Sequence, residues 1–321
     1  MDIEFKKTND FLVGIDSDGC AFDTMELKHK ECFIPCIIHH WGLKGISKYA
    51  REAAEFVNLY SKSRGVNRFP ALIEVFKLLQ KRPEVVARGA KIEIPEILVE
   101  WMNKETKLGN AALAKYVEET GDPLMKKTLA WSLDVNETVD KIVGEGVPPF
   151  PMVRESLEKL QGKADVLVVS ATPQAALQKE WANQGLLPFV QSICGQEVGT
   201  KKESLAYASL YPKNHALMIG DAPGDYKAAL ANNALFFPIN PGEEEASWKR
   251  FFEEGAQKFL NEEFAGDYQQ ELLDDFNSHL PTTPPWKELD GRATRQSFLR
   301  AEQEVPRRCY SVRRSLGEFL G

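Results

Sequence analysis

The chain has 321 residues, 43% of them hydrophobic and 27% charged, which suits a soluble globular protein of about two domains. Its net charge of −7 argues against a general nucleic-acid or anionic-membrane surface. No apolar run approaches the ~20 residues of a membrane helix, and the residues after Met1 lack the apolar stretch of a signal peptide. Five cysteines without a zinc-binding spacing fit free thiols in a reducing, cytoplasmic setting.

Phe11–Ile15 is a short apolar run of the kind that forms a strand buried on both faces. It leads into Asp16-Ser17-Asp18-Gly19. Two carboxylates so close resist joint ionisation unless a cation or a shared proton lies between them, although Asp and Gly also make ordinary turns. Residues 23–146 then read as successive amphipathic helices, with three- and four-residue apolar spacing at 49–60, 71–80, 111–119 and 124–133. His39-His40-Trp41 reads as a helix end anchored by its tryptophan. The polar break from Lys62 to Arg68 holds Arg64 and Arg68, which either grip an anionic group of a substrate or decorate a solvated helix connection.

Val147-Pro148-Pro149-Phe150-Pro151 is a stiff joint. Beyond it, helices at 152–161, 173–184, 202–210 and 225–231 alternate with strands at 165–169, 189–194, 216–219 and 234–238. That alternation predicts an α/β fold with a doubly wound parallel sheet, which Phe11–Ile15 joins. The division is a core of 1–22 and 147–240, an inserted helical cap at 23–146, and an acidic helical extension at 241–290. The tail at 291–321 carries seven arginines and no lysine, and composition favours a solvated end over an RNA-binding arm.

In a parallel sheet the carboxyl ends of the strands share one edge, where ligands bind. Asp16, Asp18, Ser170, the lysines Lys201 and Lys202, and Gly220-Asp221-Ala222-Pro223-Gly224-Asp225 all fall at such ends. Thr172, before Pro173, is the better cap for the next helix, which leaves Ser170 free; Asp221 either caps the helix near Pro223 or faces the site. Asp16, Asp18 and Asp221 offer hard oxygen ligands with no His or Cys beside them, which favours Mg²⁺ over zinc. Lysine and serine are donors for phosphoryl oxygens, and a carboxylate can attack phosphorus while a second acid moves the proton. Asp16 fits the nucleophile and Asp18 the acid/base.

Together Asp16-Ser17-Asp18-Gly19, Ser170, Lys201 and Gly220 to Asp225 resemble the four motifs of the haloacid dehalogenase superfamily, in order and in strand placement. The resemblance covers roughly residues 11–23 and 151–240. It implies a Rossmann-like core, a Mg²⁺ cofactor and an aspartyl-phosphate intermediate. Asp16 is then nucleophile and metal ligand, Asp18 the acid/base and a ligand through its carbonyl, Asp221 and Asp225 metal-site acids, and Ser170 and a lysine the phosphoryl holders. The spacing Lys201-x-Glu203-x-Leu205 favours Lys201 over Lys202. Ser17, Gly19 and Ala171, with Arg64 and Arg68, complete the substrate-binding set. Asp23-Thr24 is similar to the subgroup with a cap inserted at this point, that of phosphoglycolate phosphatase and β-phosphoglucomutase. His29 falls one position late for the usual histidine of that segment. Asp18 argues for phosphate esters, since dehalogenases lack that second acid. The expected activity is hydrolysis of a small phosphorylated metabolite; a phosphomutase and a non-catalytic phosphate-binding protein are the alternatives.

Overall fold

The computed structural model describes residues 5–144 and 146–286; the arginine-rich tail and residues 287–290 of the expected extension lie outside them. The chain divides into one compact unit through Thr282 and a second from Thr283, of which Thr283 to Trp286 are described. Five parallel strands form one sheet: β1 (Phe11–Ile15), β2 (Ala164–Val169), β3 (Ser192–Cys194), β4 (Ala216–Gly220) and β5 (Leu235–Pro238), in the order β3-β2-β1-β4-β5.

Why the strands are apolar throughout follows from the pleat, which sends successive side chains to opposite faces. Leu12, Leu167, Val169, Met218 and Phe236 face one side, against Phe276 and Leu273 of helix Asp267–His279. Val13, Ile15, Val166, Val168, Leu217, Ile219 and Phe237 face the other. There they meet Leu157 of helix Val153–Leu160, Leu177 and Trp181 of helix Gln174–Asn183, and Trp248. Burying each such side chain contributes about 1.5–3 kcal/mol. At the amino edge Asp165 is a buried acid whose Oδ2 accepts from the Thr8 and Asn9 backbone N–H groups at 2.8 and 3.1 Å, pinning the approach to β1.

The block between β1 and β2 is helical, including Ser47–Asn58, Arg68–Gln80, Glu96–Lys104, Asn110–Thr120 and Pro123–Val143. Its centre is aromatic, with Phe69 edge-on to Trp101 and Trp131 at 5.3 and 6.2 Å between ring centroids. Trp41 packs edge-on against Phe76 inside this block. The two chain segments joining the block to the sheet pair with each other, Phe22 with Pro149, and Phe150 donates its N–H to Ala21 at 3.0 Å.

Several boundaries differ from the sequence expectation. The strand expected at 189–194 begins at Ser192, because Pro188 lies in a 3₁₀ turn, Leu187–Phe189. The helix expected at 124–133 runs over 21 residues, Pro123–Val143; Asp122 caps it by accepting from Leu124 and Met125, and apolar residues continue at helical spacing through Val135, Val139 and Ile142. The helix expected at 202–210 is a short α turn, Lys201–Ser204, followed by 3₁₀ Leu205–Leu210.

Candidate active site at the carboxyl edge of the sheet

Register places the motif residues together. Ile15 pairs with both Val168 and Ile219, so β1, β2 and β4 end at one level. Asp16 follows directly, its N–H donating to the Ile219 carbonyl at 3.0 Å. Ser170 leaves β2 with its N–H on the Cys194 carbonyl at 3.0 Å and is buried, while Ala171 is exposed.

Asp16, Asp221 and Asp225 form a buried acid cluster in which one carboxylate oxygen of each lies within 4.8 Å of the others. Lys201 Nζ bridges Asp16 Oδ2 at 2.5 Å and Asp225 Oδ1 at 2.6 Å, whereas Lys202 is exposed. Lys201 is placed by a capping box, Thr200 accepting from Glu203 N–H and Glu203 from Thr200 N–H. Asp225 Oδ2 also accepts the Ala222 N–H at 3.1 Å. Ala222, not Asp221, stands at that helix's cap position, so Asp221 is not spent on capping.

The second cation comes from the helical block. Arg64 Nε donates to Asp221 Oδ2 at 2.7 Å, with both side chains 1% exposed, and Nη1 donates to the Leu59 carbonyl at 2.8 Å. Arg64 Nη2 and Asp221 Oδ1 are buried and have no hydrogen-bond partner. Arg64 Nη2 sits by Gly19, whose φ is +76° and where an added Cβ would come within 2.7 Å of Arg64 Nη2 and 2.8 Å of Asp221 Oδ2. Gly19 therefore serves both a left-handed turn and the close approach of a guanidinium. Arg68 goes elsewhere: it donates to Ser132 and Asn136 and lies over the Phe33 ring, and burial lowers its guanidinium to about 10. The structure thus separates the two arginines that the sequence placed together.

Electrostatics mark the same cluster. Burial pushes the Asp16 carboxyl well up, and Asp225 and Asp221 reinforce that against the opposing Lys201. Burial likewise raises Asp225, with Asp221 adding to it. Lys201 is raised despite its burial because Asp16 and Asp225 surround it. Three carboxylates face two cations here. An oxygen-only donor set with an unpartnered Asp221 Oδ1 fits a hard divalent cation such as Mg²⁺, held by Asp16, Asp221 and Asp225.

Asp18 meets three polar side chains. Its Oδ1 accepts from Thr24 Oγ1 and from Lys28 Nζ at 2.5 Å, and its Oδ2 from Thr172 Oγ1 at 2.7 Å. Burial alone would raise this carboxyl, but Lys28 and the two hydroxyls bring it down to about 2. Thr172 does not cap its helix: the Gln174 N–H is taken by Glu197 Oε2 at 2.8 Å, which releases the Thr172 hydroxyl to Asp18. His29 is buried against Phe33, and burial and Arg64 lower it to about 3.

Lys28 and Thr24 were readable as partners of the acid turn, since they stand four residues apart on one helical face directly after it. Glu180 carried no such signal. Its Oε2 accepts from Ser17 Oγ at 3.3 Å, that oxygen itself receiving the Trp181 indole N–H at 3.0 Å. Burial, then the charge of Asp18, raises Glu180 to about 7. A carboxyl raised from 4.5 stabilises the fold fully below about pH 4.5 and loses that contribution as pH rises through about 7. Chemical denaturation should show wild type losing up to ~3 kcal/mol relative to Glu180→Gln across that window. A second expected effect concerns Gly220, where a Cβ would lie 2.4 Å from Asp225 Cγ. Gly220→Ala should lower the unfolding free energy by about 1–3 kcal/mol, read from the denaturant midpoint.

No family model and no curated protein matches this chain. Solved structures similar to it include a protein assigned as a phosphoglycolate phosphatase from Lactobacillus delbrueckii, at 15% identity and TM-score 0.46, covering 84% of this chain and 99% of that one. Another is the β-phosphoglucomutase of Clostridium difficile, at 13% identity and TM-score 0.49, covering 81% and 100%. A third is a haloacid dehalogenase-like hydrolase from Streptococcus pneumoniae, at 15% identity and TM-score 0.40, covering 83% and 98%. With scores below 0.5 and identities under 25%, none of these proteins lends this chain an activity.

Proposed function

We propose that this chain is a Mg²⁺-dependent phosphomonoester hydrolase acting on a small phosphorylated metabolite, with Asp16 as nucleophile. What supports it is the convergence of Asp16, Asp221 and Asp225 on one buried point, with Lys201 across Asp16 and Asp225 and two polar atoms left unpartnered beside them. When bound, Mg²⁺ would neutralise charge on the transferred phosphoryl group. Lys201 supplies a second positive charge there, and Ser170 a hydroxyl from the end of β2. Arg64 Nη2 is a buried donor with no acceptor, which a phosphoryl oxygen could supply. Asp16 attacks phosphorus, the ester oxygen leaves, and water then releases phosphate from the aspartyl-phosphate.

Among the described residues no helix is long and apolar enough to cross a membrane, and Cys20, Cys32, Cys36 and Cys194 are buried free thiols, which is consistent with the cytoplasm. The test is phosphate release from 4-nitrophenyl phosphate with Mg²⁺. Release that survives an excess of EDTA would remove the metal from the reaction.

A further inference from the structure

Taking the phosphatase reading as its basis, we propose that His29 is a specificity residue of this site, which hydrogen-bonds a hydroxyl of the leaving alcohol, so that the substrate is the phosphate ester of a polyol or a sugar. Helix Thr24–Leu27 runs on into a π turn, Lys28–Phe33, and wide turns of this kind gather at functional sites. Met25, His29 and Phe33 are spaced by four and share one face. That face lies along the polar break between Arg64 and Arg68. At its start, a Cβ added to Gly19 would meet Met25 Cβ at 2.8 Å and Arg64 Nη2 at 2.7 Å, so Met25 stands beside that guanidinium. At its end, Arg68 Cζ lies 4.9 Å over the Phe33 ring. His29 falls between the two, its ring centroid 4.6 Å from that of Phe33.

A buried polar atom that nothing bonds costs about 1–3 kcal/mol, and native proteins leave few of them without a reason. His29 is 9% exposed, and its Nδ1 has no hydrogen-bond partner among the described residues. Arg64 Nη2 and Asp221 Oδ1 are in the same condition, and Arg64 bonds Asp221. Three orphaned atoms thus lie on two adjoining residues of the helical block and on an acid of the cluster, which is how a ligand site differs from a packed core. Four residues of rise carry His29 about 6 Å beyond Met25. A substrate covers that span with its ester oxygen and the next two carbons.

Charge divides the labour between the two residues. Arg64 answers the phosphoryl group. Burial, and then Arg64, keep the His29 imidazole uncharged, and an uncharged ring with one donor and one acceptor nitrogen suits a hydroxyl better than a carboxylate or a second phosphate. The other cations nearby are already taken: Lys28 pairs with Asp18, and Arg68 donates to Ser132 and Asn136. The far end of the site therefore offers hydrogen bonds without a spare positive charge.

The test compares sn-glycerol 3-phosphate with n-propyl phosphate, which has the same carbon chain and no hydroxyl, in wild type, His29→Leu, His29→Asn and His29→Gln, with Mg²⁺. 2-Phosphoglycolate is the anionic control. Wild type should favour the glycerol ester over the propyl ester by about 10- to 100-fold in kcat/KM, the scale of a hydrogen bond to an otherwise unpaired buried group. His29→Leu should erase most of that preference, chiefly by raising KM for the glycerol ester, and leave kcat/KM for the propyl ester within about threefold of wild type, which a loss of fold would not do. His29→Asn, whose amide stands where Nδ1 does, should retain more of the preference than His29→Gln, whose amide reaches the Nε2 position. Equal kcat/KM for the two esters in wild type, a preference that His29→Leu leaves unchanged, or 2-phosphoglycolate turned over better than the glycerol ester would overturn the role of His29 while leaving the phosphatase reading standing. Wild-type silence on all three esters would overturn both.

Discussion

Asp16→Asn should reduce phosphate release by a factor on the order of 10⁴ or more, the scale on which removing a covalent nucleophile acts. The substitution is nearly isosteric and the local contacts can persist. The amide oxygen can still accept the Ser17 N–H, and Lys201 retains Asp225 at 2.6 Å. The loss is therefore one of chemistry, not of fold. Stability should move the other way. Asp16 is a buried acid whose ionisation is opposed by burial and by the neighbouring Asp225 and Asp221, and the neutral amide removes that repulsion. Thermal unfolding of the metal-free protein should give a higher midpoint for Asp16→Asn than for wild type, a trade-off familiar at active sites. A lower midpoint accompanying the lost activity would mean that Asp16 holds the structure together instead.

The second large effect lies in the Arg64–Asp221 pair. Both side chains are 1% exposed, so removing one partner strands a buried charge, at a cost of about 3–5 kcal/mol. Arg64→Met keeps much of the volume and removes the charge. The metal-free variant should unfold at a markedly lower midpoint than wild type. Because Asp221 also belongs to the acid cluster, a divalent cation can supply the missing positive charge. Saturation at about 100 times the dissociation constant adds ~2.7 kcal/mol to whichever form binds. The Mg²⁺-induced rise in midpoint should therefore be larger in Arg64→Met than in wild type. An equal or smaller rise would show that Arg64 and the metal do not share Asp221.

Much of the core was legible because its pattern is local. A run such as Phe11–Ile15 with no polar residue describes a strand covered on both faces, and alternation of such runs with helices describes a parallel sheet. Strand ends in a parallel sheet share one edge, so Asp16, Lys201, Asp221 and Asp225 could be gathered from segments far apart in sequence. The helical block was legible as helices but not as contacts. Nothing local distinguishes Arg64, which reaches Asp221, from Arg68, which turns back to Ser132 and Asn136. Thr172 looked like a helix cap because threonine before proline usually is one; Glu197, brought in by the chain after β3, took over that contact.

The sequence by itself determined which residues would form strands, where they would end, and hence which acids and which lysine would meet, because pleat and parallel register are set by short-range pattern. Only the tertiary structure decided the protonation landscape. The lowering of Asp18 and the raising of Glu180 depend on which charged and donor groups lie beside them and on how much water is excluded, and these come largely from segments packed against each other.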